Sequence, residues 1–97
     1  MDTIYFTVTG TCFRYGTEPF EAGTQLRLVK EPDNEHDREA IKVEFPGLGT
    51  IGYVANSVKT VLGESYSAGR LYDKIGDTAA GTVMLKLPNA LLCTVSL

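Results

Sequence analysis

Apolar side chains at every second position, in short runs broken by Gly, Pro, Asn and Asp, constrain this chain more than any other feature. They describe half-buried strands joined by turns. Ile4, Phe6 and Val8 alternate with Tyr5, Thr7 and Thr9. Leu26 and Leu28 alternate with Arg27 and Val29, and Ile41, Val43 and Phe45 with Lys42 and Glu44. Gly10-Thr11 begins a turn that runs into the aromatic-basic stretch Cys12-Phe13-Arg14-Tyr15-Gly16, and Glu18 to Gly23 reads as a loop. Pro32 to Asp37 is a polar, turn-forming break, and Pro46-Gly47-Leu48-Gly49 is a hairpin loop leading into Thr50-Ile51-Gly52-Tyr53-Val54. Two further strands carry Val83, Leu85 and Leu87, then Leu91, Cys93, Val95 and Leu97. Helical spacing is confined to the middle. Asn56 or Ser57 caps a segment bearing Val58, Val61 and Leu62 and ended by Gly63; Ser67 caps another bearing Ala68, Leu71 and Ile75 and ended by Gly76. The order ββββ-αα-ββ contains no alternating βαβ unit. The expected fold is therefore all-β with two short helices, a small barrel or rolled sheet.

Ninety-seven residues predict a single domain over 1–97, with one core and a shallow site. The 43% hydrophobic and 22% charged content is that of an ordinary globular chain. Nine basic against 12 acidic residues give a net charge of -3, and the basic residues are scattered singly. Affinity for a long duplex comes largely from counterion displacement by a basic face, so extended non-specific duplex binding is disfavoured. A pocket touching a few phosphates is compatible with this charge. No apolar run approaches the ~20 residues that span a bilayer. Met1-Asp2-Thr3-Ile4 has no basic n-region, so a cytoplasmic location without membrane partners is expected. In that reducing compartment Cys12 and Cys93 read as buried strand thiols, with a disulfide formally open.

Several apparent catalytic motifs fail on context. Gly47-Leu48-Gly49-Thr50-Ile51-Gly52 matches the dinucleotide pattern, and Asp73 follows at roughly the expected 20 residues. That mechanism needs a helix opening at the glycines, whereas Gly52 leads into Tyr53-Val54, a continuing strand. Asp33, Glu35, Asp37, Glu39 and Glu44 fall at calcium-loop positions, but Arg38 sits where the loop needs glycine. Asp33, His36 and Asp37 could ligate a divalent metal for nuclease chemistry, but they read more simply as a turn capped by Asp33, Asn34 and Asp37 beside a solvated His36. One histidine leaves no persuasive nucleophile–base pair. No catalytic residue, metal or cofactor is expected.

One continuous stretch stands apart: Leu26-Arg27-Leu28-Val29-Lys30-Glu31-Pro32-Asp33-Asn34-Glu35-His36-Asp37-Arg38-Glu39-Ala40-Ile41-Lys42-Val43, followed by Ile51-Gly52-Tyr53-Val54. It resembles the HIRAN family, whose hallmark is L-x-R-E-P-x-N-x-x-D-x-N-A-I-x-V followed by G-x-x-I-G-Y. The dense match covers about half the chain; it departs at Lys30, where arginine is usual, and at Glu39, where asparagine is usual. The resemblance implies a modified OB-like β-barrel. It further implies a role akin to that of modules in eukaryotic fork-remodelling translocases, which bind single-stranded DNA at a free 3'-hydroxyl in DNA repair or replication. Asp37 matches the aspartate that reads the hydroxyl, Asn34 the asparagine that shapes its turn, and Phe13 a stacking aromatic. His36 aligns with the second stacking aromatic, Cys12 replaces a basic residue, and Arg14 lies one step beyond. Tyr53 and Asn56 fall where the family contacts the nucleic-acid backbone.

The expected interface thus comprises Phe13, Arg14, Tyr15, Asn34, His36, Asp37, Lys42, Tyr53, Asn56 and Arg70. Phe13 and His36 stack on bases, Asp37 accepts the hydroxyl, and Arg14, Lys42 and Arg70 meet phosphates; Arg70 alternatively pairs with Asp73. Two rival readings remain open. One is a protein-interaction module whose acidic surface takes a basic partner in a repair or defence complex. The other is a metal-dependent nuclease on Asp33, His36 and Asp37.

Overall fold

The alternating runs become strands because each has one face to bury and β-branched or aromatic side chains to do it with. A computed structural model describes residues 3–97; Met1 and Asp2, the first two positions of the expected domain, lie outside the described residues. Six strands form: β1 (Thr3–Thr9), β2 (Gln25–Lys30), β3 (Ile41–Phe45), β4 (Gly49–Val54), β5 (Thr78–Lys86) and β6 (Leu91–Ser96). Every pairing is antiparallel, and the order β1-β4-β3-β2-β5-β6 closes on itself as a barrel. The small-barrel expectation holds.

Phe6, Val8, Leu28, Ile41, Val43, Ile51, Val83, Leu91 and Cys93 fill the interior, fully buried. Each large apolar side chain so placed contributes about 1.5–3 kcal/mol. The two ends are closed differently. At one, Phe20 meets Phe45 edge-on with ring centroids 5.6 Å apart. At the other, where Lys30 pairs with Ile41, the helix α1 (Ala68–Tyr72) inserts Ala68 and Leu71 into the core. Lys30 fastens this end, donating from Nζ to Ile75 O at 2.8 Å and lying 4.4 Å from the Tyr72 ring centroid.

The helix expected at Ser67 forms, capped by its hydroxyl on Arg70 N. It stops at Tyr72 instead of reaching Gly76, because Asp77 and Thr78 are drawn into pairing with β2. The helix expected from Asn56 or Ser57 to Gly63 is not one. A single turn closes, Val61 N to Ser57 O, after which the Leu62 N–H donates to Thr7 Oγ1 of β1 at 3.2 Å. Thr7 and Ser65 hydroxyls meet at 2.9 Å, pinning this loop to the barrel wall, and Val58 is 97% exposed. Two strand details also differ. Cys12 is not a buried strand thiol but lies exposed in a 3-10 turn, Thr11–Phe13; Cys93 is buried in β6, and both are free. A bulge between Val83 and Leu85 turns Leu85 outward.

Candidate nucleic-acid interface

The polar break after β2 is built from side chains that bond their own backbone, which is why its sequence is Asn- and Asp-rich. Asn34 Oδ1 accepts from the N–H groups of His36 (2.9 Å) and Asp37 (3.0 Å), while Asn34 Nδ2 donates to Glu31 Oε1 at 3.1 Å. Asp37 Oδ1 accepts from Glu39 N at 2.9 Å. Its other oxygen, Oδ2, accepts from Asn56 Nδ2 at 2.7 Å, and Asn56 Oδ1 in turn accepts from Gly69 N at 2.9 Å. Asp37 is thereby fixed from both sides. A carboxylate oxygen takes more than one donor, so acceptor capacity remains for a ligand.

Beside this turn lies a cleft of about 330 Å³ lined by Asn34, His36, Asp37, Ala40, Tyr53 and Val54. Tyr53 is directly opposite Lys42 on β3 and Thr9 on β1, so all three share the barrel's outer face. Lys42 Nζ stands 3.4 Å from Glu44 Oε2, a partly exposed pair of little energetic weight. The Tyr53 hydroxyl titrates above its ordinary value, first because it donates to Glu31, then through partial burial and the Glu31 charge. Arg14 pulls in the opposite direction, so its charge acts on this face too.

Phe13 reaches the barrel surface through two glycines. Gly10, at φ +76°, turns the chain out of β1, and Gly52 lets it cross β4 closely. A Cβ on Gly52 would lie 2.6 Å from Thr9 O and 3.3 Å from Thr11 Cγ2. The resulting turn presents Phe13 with 87% of its surface exposed. His36 is exposed at the cleft rim. Tyr15 is directed elsewhere: its hydroxyl donates to Leu48 O at 3.3 Å, on the β3–β4 hairpin at the far end of β4 from Tyr53.

A larger hollow of about 800 Å³ adjoins the cleft across Asn56 and includes Ser57, Glu64, Tyr66, Ser67 and Arg70. Arg70 does not pair with Asp73; its guanidinium lies over the Tyr66 ring, 4.0 Å from the centroid. The ion pairs among the described residues involve only Lys42 and Lys86. The structure thus joins Asn34, His36, Asp37 and Asn56 in one hydrogen-bond network, sets Tyr53 in the same cleft with Lys42 and Arg14 beside it, and places Arg70 in the adjoining hollow. Sequence reasoning missed Glu31, which anchors Asn34 and raises the Tyr53 pKa, although it stands within the quoted stretch. It also missed Tyr66, for which no local signal exists.

Among the described residues no three His, Cys, Asp or Glu side chains are grouped so as to hold a metal ion; Asp33, His36 and Asp37 do not converge. No helix among them is long and apolar enough to cross a membrane.

The family model described as HIRAN domain matches residues 1–91. The structure is similar to the crystal structure of the HIRAN domain of human HLTF, with a TM-score of 0.64 over 96% of this chain and 74% of that one. The two sequences are 20% identical, so this likeness speaks to the fold. No curated protein matches the chain.

Proposed function

The chain belongs to the HIRAN domain family, a family of nucleic-acid-binding domains, and from that premise we propose that it binds single-stranded DNA at a free 3'-hydroxyl end. The observation that carries the reading is the fixed Asp37 carboxylate at the edge of a cleft, beside Tyr53 and His36, on a barrel that also displays Phe13 almost fully exposed. A terminal hydroxyl donates to Asp37. A terminal phosphate is mostly doubly ionised at neutral pH, so it rarely has a proton to donate, and it brings negative charge against Asp37, Glu35 and Glu39. Phe13 and His36 offer faces for bases, at about 1–3 kcal/mol per stacked base for a full aromatic. Arg14 and Lys42 lie where backbone phosphates pass. With so few cations, affinity is modest and its salt dependence shallow. The biological setting that suits such an activity is the processing of DNA ends in repair or replication.

Fluorescence anisotropy with labelled single strands ending in 3'-hydroxyl or 3'-phosphate tests the reading. The hydroxyl strand binds about ten- to a hundredfold more tightly, as expected for one hydrogen bond to a charged acceptor. Asp37→Ala abolishes that ratio. Equal binding of the two ends refutes end-reading. Absence of binding to any strand would instead favour a protein-interaction module, for which the exposed neighbours Met84 and Leu85 on β5 are the natural contact.

A further inference from the structure

A hollow larger than the cleft that holds Asp37 lies beside α1, and the hydrogen bond from Asn56, which lines the hollow, to Asp37, which lines the cleft, links the two. We propose, as an extension that rests on the end-binding reading, that this hollow is a second subsite. It takes the phosphodiester backbone of the nucleotides preceding the 3' terminus, with Arg70 as its anion-binding group.

Three observations converge on this assignment. First, Arg70 is organised for a ligand rather than for the fold. Its guanidinium carbon lies over the Tyr66 ring, 4.0 Å from the centroid, and no ion pair among the described residues engages it. A stacked guanidinium presenting a rigid fork of donors suits a phosphate. Second, the hollow and the cleft are joined mechanically. Asn56 spends Nδ2 on Asp37 and Oδ1 on the Gly69 N–H, and Ala68 N donates to Ala55 O at 2.9 Å, so α1 is seated on the end of β4. Gly69 permits the contact, since a Cβ there would lie 2.8 Å from Glu39 Oε1 and 3.4 Å from Asn56 Oδ1. Asn56 is therefore a positioning residue between the two subsites and not itself the phosphate ligand. Third, Glu64 stands in the same hollow and also lines the next one, with Lys74. A carboxylate at that boundary discourages a further phosphate, so the path is short. The strand enters with its 3' end at Asp37 and leaves across Asn56 toward Arg70. It occupies about four nucleotides, the low end for a barrel of this class.

The test measures anisotropy for 5'-labelled oligothymidylates of two, four and eight nucleotides, each ending in 3'-hydroxyl or 3'-phosphate. The proteins are wild type, Arg70→Ala, Arg70→Lys and Asn56→Ala, with circular dichroism melts confirming that each is folded. Wild-type affinity rises from two to four nucleotides and then levels. Arg70→Ala binds the four- and eight-nucleotide strands about tenfold more weakly and the dinucleotide nearly unchanged. It also lowers the salt slope by about 0.7, the value of one single-strand phosphate contact, and keeps the hydroxyl-to-phosphate ratio. Arg70→Lys recovers only part of the loss, because an ammonium lacks the stacked fork. Asn56→Ala reduces the ratio at every length. If Arg70→Ala leaves the length gain intact, or weakens all lengths equally, the second subsite is refuted while the end-binding reading stands on its ratio. A wild-type protein indifferent to the 3' group refutes the end-binding reading instead, and one that binds no strand refutes both.

Discussion

Substituting Gly52 by alanine is the sharpest probe of how the barrel carries Phe13 to its surface. A Cβ at that position would lie 2.6 Å from Thr9 O and 2.9 Å from Val8 Cγ1, both in β1. Reaching an ordinary 3.4 Å contact requires the Thr9 carbonyl to retreat by about 0.8 Å. That carbonyl cannot rotate away, for it belongs to the short β1–β4 seam, where only Val8 faces Val54 and Thr9 faces Tyr53. Overpacking of this kind costs about 1–3 kcal/mol, and weakening one seam hydrogen bond adds about 1 kcal/mol. The sum, about 2–4 kcal/mol, is a large share of the roughly 5–15 kcal/mol that stabilises a domain of this size. At about 4–8 °C per kcal/mol, Gly52→Ala lowers Tm by roughly 10–25 °C. Thermal unfolding followed by circular dichroism reads the effect. Gly76→Ala is the control, since the nearest atom to its added Cβ is Thr78 O at 3.9 Å. A Tm for Gly52→Ala within about 3 °C of that control refutes the close approach and the account of how Phe13 is placed.

Three further outcomes follow from individual contacts. Thr7→Val leaves the Leu62 N–H without its acceptor and strips the Ser65 hydroxyl of one of its two partners; it costs about 1–3 kcal/mol in urea unfolding and speeds amide exchange in residues 57–65. Unchanged exchange there contradicts the pinning of that loop. Burial pushes the Cys93 thiol up to about 12, so a thiol reagent at neutral pH modifies exposed Cys12 in the native protein and reaches Cys93 only on unfolding; equal rates for the two oppose this. The native state holds Tyr53 above its ordinary 10.0, favouring the protonated phenol. The associated stability is complete below the ordinary value and is lost as pH climbs through the raised one. Tyr53→Phe therefore flattens the decline in stability above pH 10 in urea titrations, and an identical decline in the variant removes Glu31 from the argument.

Strand period was legible because each strand buries one face, as Ile4, Phe6 and Val8 do in β1. The start of β5 was not. Ala79, Ala80 and Gly81 have little strand preference of their own and are extended by pairing with β2, where Gly81 fits because a Cβ would sit 2.9 Å from Leu28 Cδ1. Val58, Val61 and Leu62 carry helical spacing, yet the tertiary demand of Thr7 for the Leu62 N–H outweighs it after one turn. Of the site, the Asn34–Asp37 turn was legible because its hydrogen bonds are local. The Asn56–Asp37 bond spans 19 residues and the Arg70–Tyr66 stack depends on where α1 docks, so neither leaves a mark on the sequence.

The central claim is that the barrel end bearing the Asn34–Asp37 turn and Asn56 receives a strand terminus. Nitrogen-15 NMR during titration with a short 3'-hydroxyl single strand tests it most directly, because the side-chain amide of Asn56 reports on Asp37 itself. The account predicts the largest shifts at Asn34, His36, Asp37, Tyr53 and that Asn56 amide, with Phe13 close behind. Shifts centred on the Phe20–Phe45 end or on Met84 and Leu85, with the Asn56 amide unmoved, would contradict it.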